Sequence, residues 1–99
     1  MPAFEIHFTD EALADLATLR KFDQSRVTAG IEAQLLHQPD VETRNRKRLR
    51  PNQLAEWELR IDHFRVFYDV DSAGPSVNIV AVGWKPGEQL FIHGQPYQL

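Results

Sequence analysis

The sequence has no cysteine among its 99 residues, which excludes disulfide bonds and thiolate metal sites. It also lacks any apolar run near the roughly 18 residues that cross a bilayer, and its first residues lack the basic and apolar segments of an export signal. No spacing of His, Asp and Glu suggests a metal site, and no glycine-rich loop opens a helix to bind a nucleotide. We therefore expect a cytoplasmic protein that needs no metal or cofactor and does not contact a membrane.

Charge is unevenly distributed along the chain. The length allows one domain, residues 1–99, and a hydrophobic fraction of 42% is typical of a folded protein. The net charge is −3, which alone argues weakly against a nucleic-acid partner. Residues 44–50, however, contain five basic residues and no acidic one, which leaves six basic against 14 acidic residues, a charge of −8, elsewhere. The basic cluster is Arg44, Arg46, Lys47, Arg48 and Arg50.

The first 39 residues predict a strand and two helices. Apolar residues alternate over residues 4–8, which indicates a strand with one buried face. After Thr9 or Asp10, either of which can cap a helix, apolar residues recur every three or four positions for about three turns. A second helix with the same spacing is expected to begin after Asp23 or Ser25 and to end before the first proline that follows.

The rest of the chain predicts strands. Residues 39–51 show no apolar periodicity and contain the basic cluster, so we expect a long exposed connection with a functional role. Alternating apolar residues over 57–61 and 64–70 and an apolar run over 77–82 predict three strands. The segment 90–92 allows one more short strand. The predicted fold is α+β, in the order βααβββ, with a helical hairpin packed on one face of a small antiparallel sheet.

The register of the first two of these strands follows from their apolar positions. Placing Ile61 opposite Phe64 puts the other alternating apolar residues of both strands on one face, which the helices can cover. The same register places Arg60 directly opposite Arg65 on the other face. Like charges in that position are unfavourable by a few tenths of a kcal/mol. We expect the pair to bind a phosphate or a carboxylate of a partner; the alternative is two surface arginines that bridge Glu58 and Asp69.

The element order and several motifs resemble the RelE/ParE toxin superfamily. The motifs are Phe64-Arg65-Val66-Phe67-Tyr68, the run Trp57–Ile61 after Leu49-Arg50, and the apolar strand that ends in Val82-Gly83. The resemblance covers nearly the whole chain and implies a RelE-like fold. It also implies a toxin that a cognate antitoxin protein holds inactive. One branch of the superfamily cleaves mRNA on the ribosome, and the other inhibits DNA gyrase.

The resemblance also implies site residues, not all of which are present. Arg65 and Arg60 match basic positions on two strands, and Lys85 matches one after the last long strand. Glu58 stands where lysine-using members have a lysine, and Phe91 where they have a tyrosine. If this chain cuts RNA without a metal, a base must take the proton from the 2′-hydroxyl, and cations must stabilise the phosphorus centre. Glu58 and His93 are the candidates for proton transfer.

The predicted function is a toxin whose target is translating mRNA, with Arg60, Arg65, Lys85, Glu58 and His93 as candidate catalytic residues. The basic cluster at 44–50 would bind RNA or the ribosome, or receive an acidic antitoxin segment, and the sequence does not decide between them. Gyrase inhibition is the alternative within the superfamily. The alternative from a different functional class is a domain that has lost toxicity and only binds an antitoxin.

Overall fold

The computed structural model describes residues 3–99 and contains two helices and seven strands in that range. In chain order these are β1 (Glu5–Phe8), α1 (Asp10–Ala17), α2 (Lys21–Leu35), β2 (Arg46–Arg48), β3 (Trp57–Ile61), β4 (Phe64–Asp71), β5 (Ser76–Trp84), β6 (Leu90–Ile92) and β7 (Gln95–Tyr97). No helix in this part of the chain is long and apolar enough to cross a membrane.

The strands form one sheet in the order β2-β3-β4-β5-β6-β7, and β1 also pairs with β5. The predicted α+β fold, with a helical hairpin on one face of a sheet, is confirmed. The prediction of a wholly antiparallel sheet is wrong for β1, which runs parallel to β5 with Glu5 opposite Ser76 and Phe8 opposite Ile79. Alternation of apolar residues shows which face is buried but not the direction of the neighbouring strand.

The predicted register of β3 and β4 is confirmed, with Ile61 opposite Phe64 and Arg60 opposite Arg65. The apolar alternates of these strands face the helices, where burial of each large side chain contributes about 1.5 to 3 kcal/mol. They form the helix-side core with residues of α1, α2 and β5. Its buried members are Ala12, Leu16, Val27, Ile31, Leu35, Trp57, Leu59, Val66, Tyr68, Val77, Ile79 and Val82.

The helices are held by local contacts as well as by this core. Thr9 is the N-cap of α1, and its side chain accepts a hydrogen bond from the backbone N–H of Ala12 at 3.1 Å. The second helix begins at Lys21, earlier than predicted, so Asp23 lies in its first turn rather than before it. A carboxylate in the first turn is favourable because the helix N-terminus carries partial positive charge.

The other side of the sheet, here called the open face, carries a smaller core. Phe67 of β4 and Ala81 of β5 are fully buried there against Leu90 and Ile92 of β6. Strands β6 and β7 form a hairpin, here called the C-terminal hairpin, that covers part of this face. Its two-residue turn has φ of 55° and 74°, at His93 and a glycine, as a type I′ turn requires.

The prediction that residues 39–51 form an exposed connection is wrong in its middle. Residues 46–48 form β2, with Arg46 opposite Leu59 and Arg48 opposite Trp57. Arg46 is buried, and its guanidinium donates hydrogen bonds to the backbone oxygens of Gln34 and Val41 at 2.7 and 2.9 Å. A three-residue strand without apolar side chains has no periodicity for sequence analysis to detect.

Candidate active site on the open face

The open face carries two arginines directly opposite each other, Arg60 on β3 and Arg65 on β4. Strand alternation places both on this face because their neighbours on each strand belong to the helix-side core. One guanidinium nitrogen of Arg65, Nη1, donates to the backbone oxygens of Asp62 and Phe64 at 2.8 and 3.0 Å. The hairpin tip therefore holds the guanidinium of Arg65 in place while Arg60 lies across from it.

Glu58 partly neutralises this pair. Its Oε1 lies 3.3 Å from Nε of Arg60, and only 9% of its side chain is exposed. Burial lowers the pKa of Arg65, the Glu58 carboxylate raises it, and the charge of Arg60 lowers it. One buried carboxylate and two guanidinium groups therefore leave a net positive charge, which favours an anion at this position.

The alternative interpretation, two arginines that only bridge acidic side chains, holds for Arg60 and does not hold for Arg65. Arg60 does pair with Glu58, but the Asp69 side chain instead accepts the backbone N–H of Glu56 at 2.8 Å. Arg65 donates to backbone oxygens. A structural ion pair thus accounts for Arg60 and does not account for Arg65.

Gly83 lies directly opposite Arg65 on the neighbouring strand β5. A Cβ atom at this glycine would come within 2.8 Å of the backbone oxygen of Phe91 and within 3.1 Å of the Ile92 side chain. A glycine is therefore needed for β6 to approach β5 this closely. Gly83, the last residue of the Val82-Gly83 motif, thus lies between Arg65 on one side and the C-terminal hairpin on the other.

A cleft of about 360 Å³ adjoins Glu58 at the same side of the sheet. It brings Glu58 together with Lys85 and adds Tyr97 from the C-terminal hairpin. Sequence analysis did not select Tyr97, because only the fold of β6 and β7 brings it to the cleft. Its position near the C-terminus was the one available signal. The lining residues are Glu58, Lys85, Glu88, Gln89, Leu90, Tyr97, Gln98 and Leu99.

The basic cluster at 44–50 does not form a single surface. In β2, Lys47 lies opposite Glu58 and so belongs to the open face. Arg46 and Arg48 alternate to the other side, where Arg46 binds backbone oxygens and Arg48 stacks on Trp57 at 5.6 Å from the ring centre. Arg44 and Arg50 lie outside β2 and are exposed. Only Lys47 therefore shares the face of the arginine pair by strand alternation.

His93 does not join the other candidates. Its Nδ1 lies 2.6 Å from Oδ1 of Asp15 on α1, in a groove of about 770 Å³ on the helix side. The same groove is lined by Trp84, which is exposed, and by Phe91, which is half-buried. Their ring centres are 6.0 Å apart. Phe91, the residue in place of the family's tyrosine, therefore also lies away from the arginine pair. Asp15 was not predicted, because 78 residues separate it from His93.

Metal ligands were not expected from the sequence. Residues 3–99 contain no group of three or more His, Cys, Asp or Glu side chains placed to hold a metal ion. The chemistry that the open face offers on its own is therefore that of fixed cations, one buried carboxylate, an amine and a phenol.

A helical hairpin on one face of a small sheet and paired arginines on the other define a small α+β domain with one open, arginine-bearing sheet face. The chain belongs to the ParE toxin family of type II toxin–antitoxin systems, because the family model for ParE toxin of type II toxin–antitoxin system, parDE, matches residues 6–84. The protein is therefore a toxin of a type II toxin–antitoxin system.

Comparison with solved structures agrees with this assignment. The fold is similar to that in the crystal structure of the toxin–antitoxin complex RelBE2 from Mycobacterium tuberculosis, with a TM-score of 0.68 and 22% sequence identity. The match covers 86% of this chain and all of the other. At 22% sequence identity, the similarity establishes a shared fold only. Comparison by sequence with curated proteins gives no match.

Proposed function

We propose that this toxin is a metal-independent endoribonuclease that cleaves mRNA on the ribosome. The observation that carries the proposal is the shared position of Arg60, Arg65, Glu58 and Lys85 on one side of the sheet. Two guanidinium groups suit a phosphate because each is planar and offers bidentate hydrogen bonds. Glu58 forms its ion pair with Arg60, whereas Arg65 has no acidic partner within ion-pair distance in residues 3–99, so its charge is available to an anion.

In this mechanism Arg60 and Arg65 bind the scissile phosphate and stabilise the negative charge that develops at phosphorus. The Glu58 carboxylate takes the proton of the 2′-hydroxyl, whose oxygen then attacks the phosphorus and displaces the 5′-oxygen. Lys85, which lines the same cleft, gives a proton to that leaving oxygen. Tyr97 supplies an aromatic surface on which an RNA base can stack.

The exposed basic residues extend this surface. Lys47 lies on the open face beside Glu58, and Arg44 and Arg50 flank β2. We assign them to contacts with the RNA backbone, which add affinity that depends on salt and not on sequence. The fold's similarity to a toxin from a toxin–antitoxin complex supports a cognate antitoxin as the partner that blocks this face.

Gyrase inhibition is the second candidate, because the family model that matches the chain is that of ParE toxins. The ParE-like branch is the one that the resemblance associates with gyrase inhibition. The two functions predict different lesions. Expression of the toxin in bacteria should arrest growth, and mapping of mRNA 5′ ends should show new cleavage sites within coding regions. Inhibited supercoiling by purified gyrase together with intact mRNA would overturn the proposal.

The decisive variant is Arg65→Ala. We expect cleavage to fall at least about 100-fold, equivalent to about 2.7 kcal/mol of lost transition-state stabilisation, and Arg65→Lys to restore only part of it. The matched control is Arg20→Ala, which removes an exposed arginine on the helix side and should leave cleavage unchanged. Circular dichroism must show that Arg65→Ala is folded. Full cleavage by this folded variant would exclude the arginine pair as the active site.

Glu58→Gln tests the proton acceptor separately. The amide keeps the shape of the side chain and removes the base, so kcat should fall while RNA binding persists. If Glu58→Gln cleaves at the parent rate, the base lies elsewhere, and Tyr97 becomes the next residue to replace.

A further inference from the structure

The contact between Asp15 and His93 joins the first helix to the turn of the C-terminal hairpin. Asp15 is only 7% exposed, and its two carboxylate oxygens have different partners. Oδ2 accepts the backbone N–H of Val82 at 3.0 Å, and Oδ1 lies 2.6 Å from Nδ1 of His93. The buried carboxylate of Asp15 therefore links α1, which carries it, to the end of β5 and to the β6–β7 turn.

The C-terminal hairpin has few other attachments to the sheet. Its strands have three residues each, and β6 pairs with β5 at one position, Trp84 opposite Phe91. Two-stranded hairpins of this size are marginally stable by themselves. Its position therefore depends on side-chain contacts, namely the burial of Leu90 and Ile92 on the open face and the bond of His93 to Asp15 on the helix side.

The same hairpin forms one wall of the cleft on the open face. Leu90 and Tyr97 line this cleft together with Glu58. A hydrogen bond on the helix side of the sheet thus fixes an element whose other side completes the candidate active site. In the proposed mechanism Tyr97 on this wall stacks on an RNA base and so orients the nucleotide toward Glu58. A loosened wall would therefore misalign the 2′-hydroxyl and slow the chemistry, while the arginines still bind the phosphate.

We propose that Asp15 and His93 are positioning residues, which clamp the C-terminal hairpin so that Tyr97 and the cleft wall face Glu58. This inference rests on the proposed function for its catalytic consequence, but the clamp itself does not. Asp15 and His93 lie on the helix side and do not touch the phosphate site. His93 thus acts through the position of the hairpin rather than as a proton carrier.

The experiment compares His93→Asn with His93→Asp. Asn-Gly and Asp-Gly both suit a type I′ turn, so each variant keeps the backbone of the turn. Asparagine retains a donor where Nδ1 was, whereas aspartate places a second carboxylate against Asp15. Hydrogen–deuterium exchange of the amides in residues 90–97 should rise about tenfold in His93→Asp and stay near the parent rate in His93→Asn. Exchange in β3 and β4 should be unchanged in both.

Cleavage kinetics on the same proteins test the catalytic consequence. We expect kcat of His93→Asp to fall about tenfold with KM within about twofold of the parent, and His93→Asn to retain both. Unchanged hairpin exchange in His93→Asp would overturn the clamp. Faster exchange with unchanged kcat would overturn the positioning role. If the parent protein does not cleave RNA, the proposed function fails, and the exchange result still decides the clamp.

Discussion

The two faces of the sheet carry different kinds of side chains. The helix side buries a continuous set of aliphatic and aromatic residues, with Leu59 and Val66 fully inaccessible. The open face, one residue along on the same strands, places Arg60 opposite Arg65 and buries Glu58 beside them. Alternate residues of one hairpin thus form the apolar core and the charged surface separately. This separation means that substitutions at neighbouring positions should have opposite consequences.

The largest expected effect on stability is that of Leu59→Ala. Removal of a fully buried leucine side chain should cost about 3 kcal/mol in the free energy of unfolding, because it loses apolar burial and leaves a cavity. Arg60→Ala, at the next position on the open face, should change it by less than about 0.5 kcal/mol. Urea unfolding of both variants measures the contrast. Similar losses for the two would show that the faces are not separate.

Glu58→Gln should have an intermediate effect on stability. It leaves the two arginines facing each other without a carboxylate, and we expect a loss of about 1 to 2 kcal/mol. Sulfate should reverse part of this loss because it can occupy the anion position, whereas chloride at equal ionic strength should do less. Glu88→Gln, an exposed acid on the same cleft, is the control. An equal loss in this control would mean that Glu58 does not neutralise the pair.

Tyr68→Phe should destabilise the protein by about 1 kcal/mol, because it removes the hydrogen bond from the tyrosine hydroxyl to the backbone oxygen of Pro39 at 2.8 Å. Burial raises the pKa of Tyr68, and the charges of Arg46 and Asp40 act in opposite directions on it. The unfolded tyrosine titrates near pH 10, so the unfolded chain loses this proton first as the pH rises.

The sign of the pH dependence follows from that order. The stabilisation is fully present below about pH 10 and decreases above it by about 1.4 kcal/mol per pH unit. Tyr68→Phe should therefore lower the stability at pH 8 and flatten its decline between pH 10 and 11, as thermal melts at several pH values would show. Parallel pH profiles for parent and variant would contradict this account.

The sequence predicted the parts of the fold that alternate over several residues. The register of β3 and β4 was predictable because only one pairing brings both apolar sets under the helices. Strands β2 and β7 were not, since three residues show no period, and nothing in the sequence marks Arg46 as buried. The segment 90–92 was recognised only as one that allows a short strand, and it forms β6. The direction of β1 was not predictable for a related reason, because its pairing depends on a partner 71 residues away.

Prediction of the site followed the same rule. The opposition of Arg60 and Arg65 follows from local register and was predicted. The approach of Tyr97 to Glu58 and the bond between Asp15 and His93 depend on where a distant hairpin folds, and neither pair has a sequence signature. Contacts between residues that are distant in sequence therefore account for most of what was missed.

The pairing of β1 with β5 also sets an order of events during synthesis. Glu5 cannot pair with Ser76 until Ser76 has been synthesised, which takes several seconds at about 5 to 20 residues per second. Until then the helices and β3–β4 lack the strand that joins them to β1, and Lys85 and Tyr97 follow later still. The candidate active site is thus assembled last. A ribosome that makes this toxin carries a chain without the complete site for most of the time needed to make it.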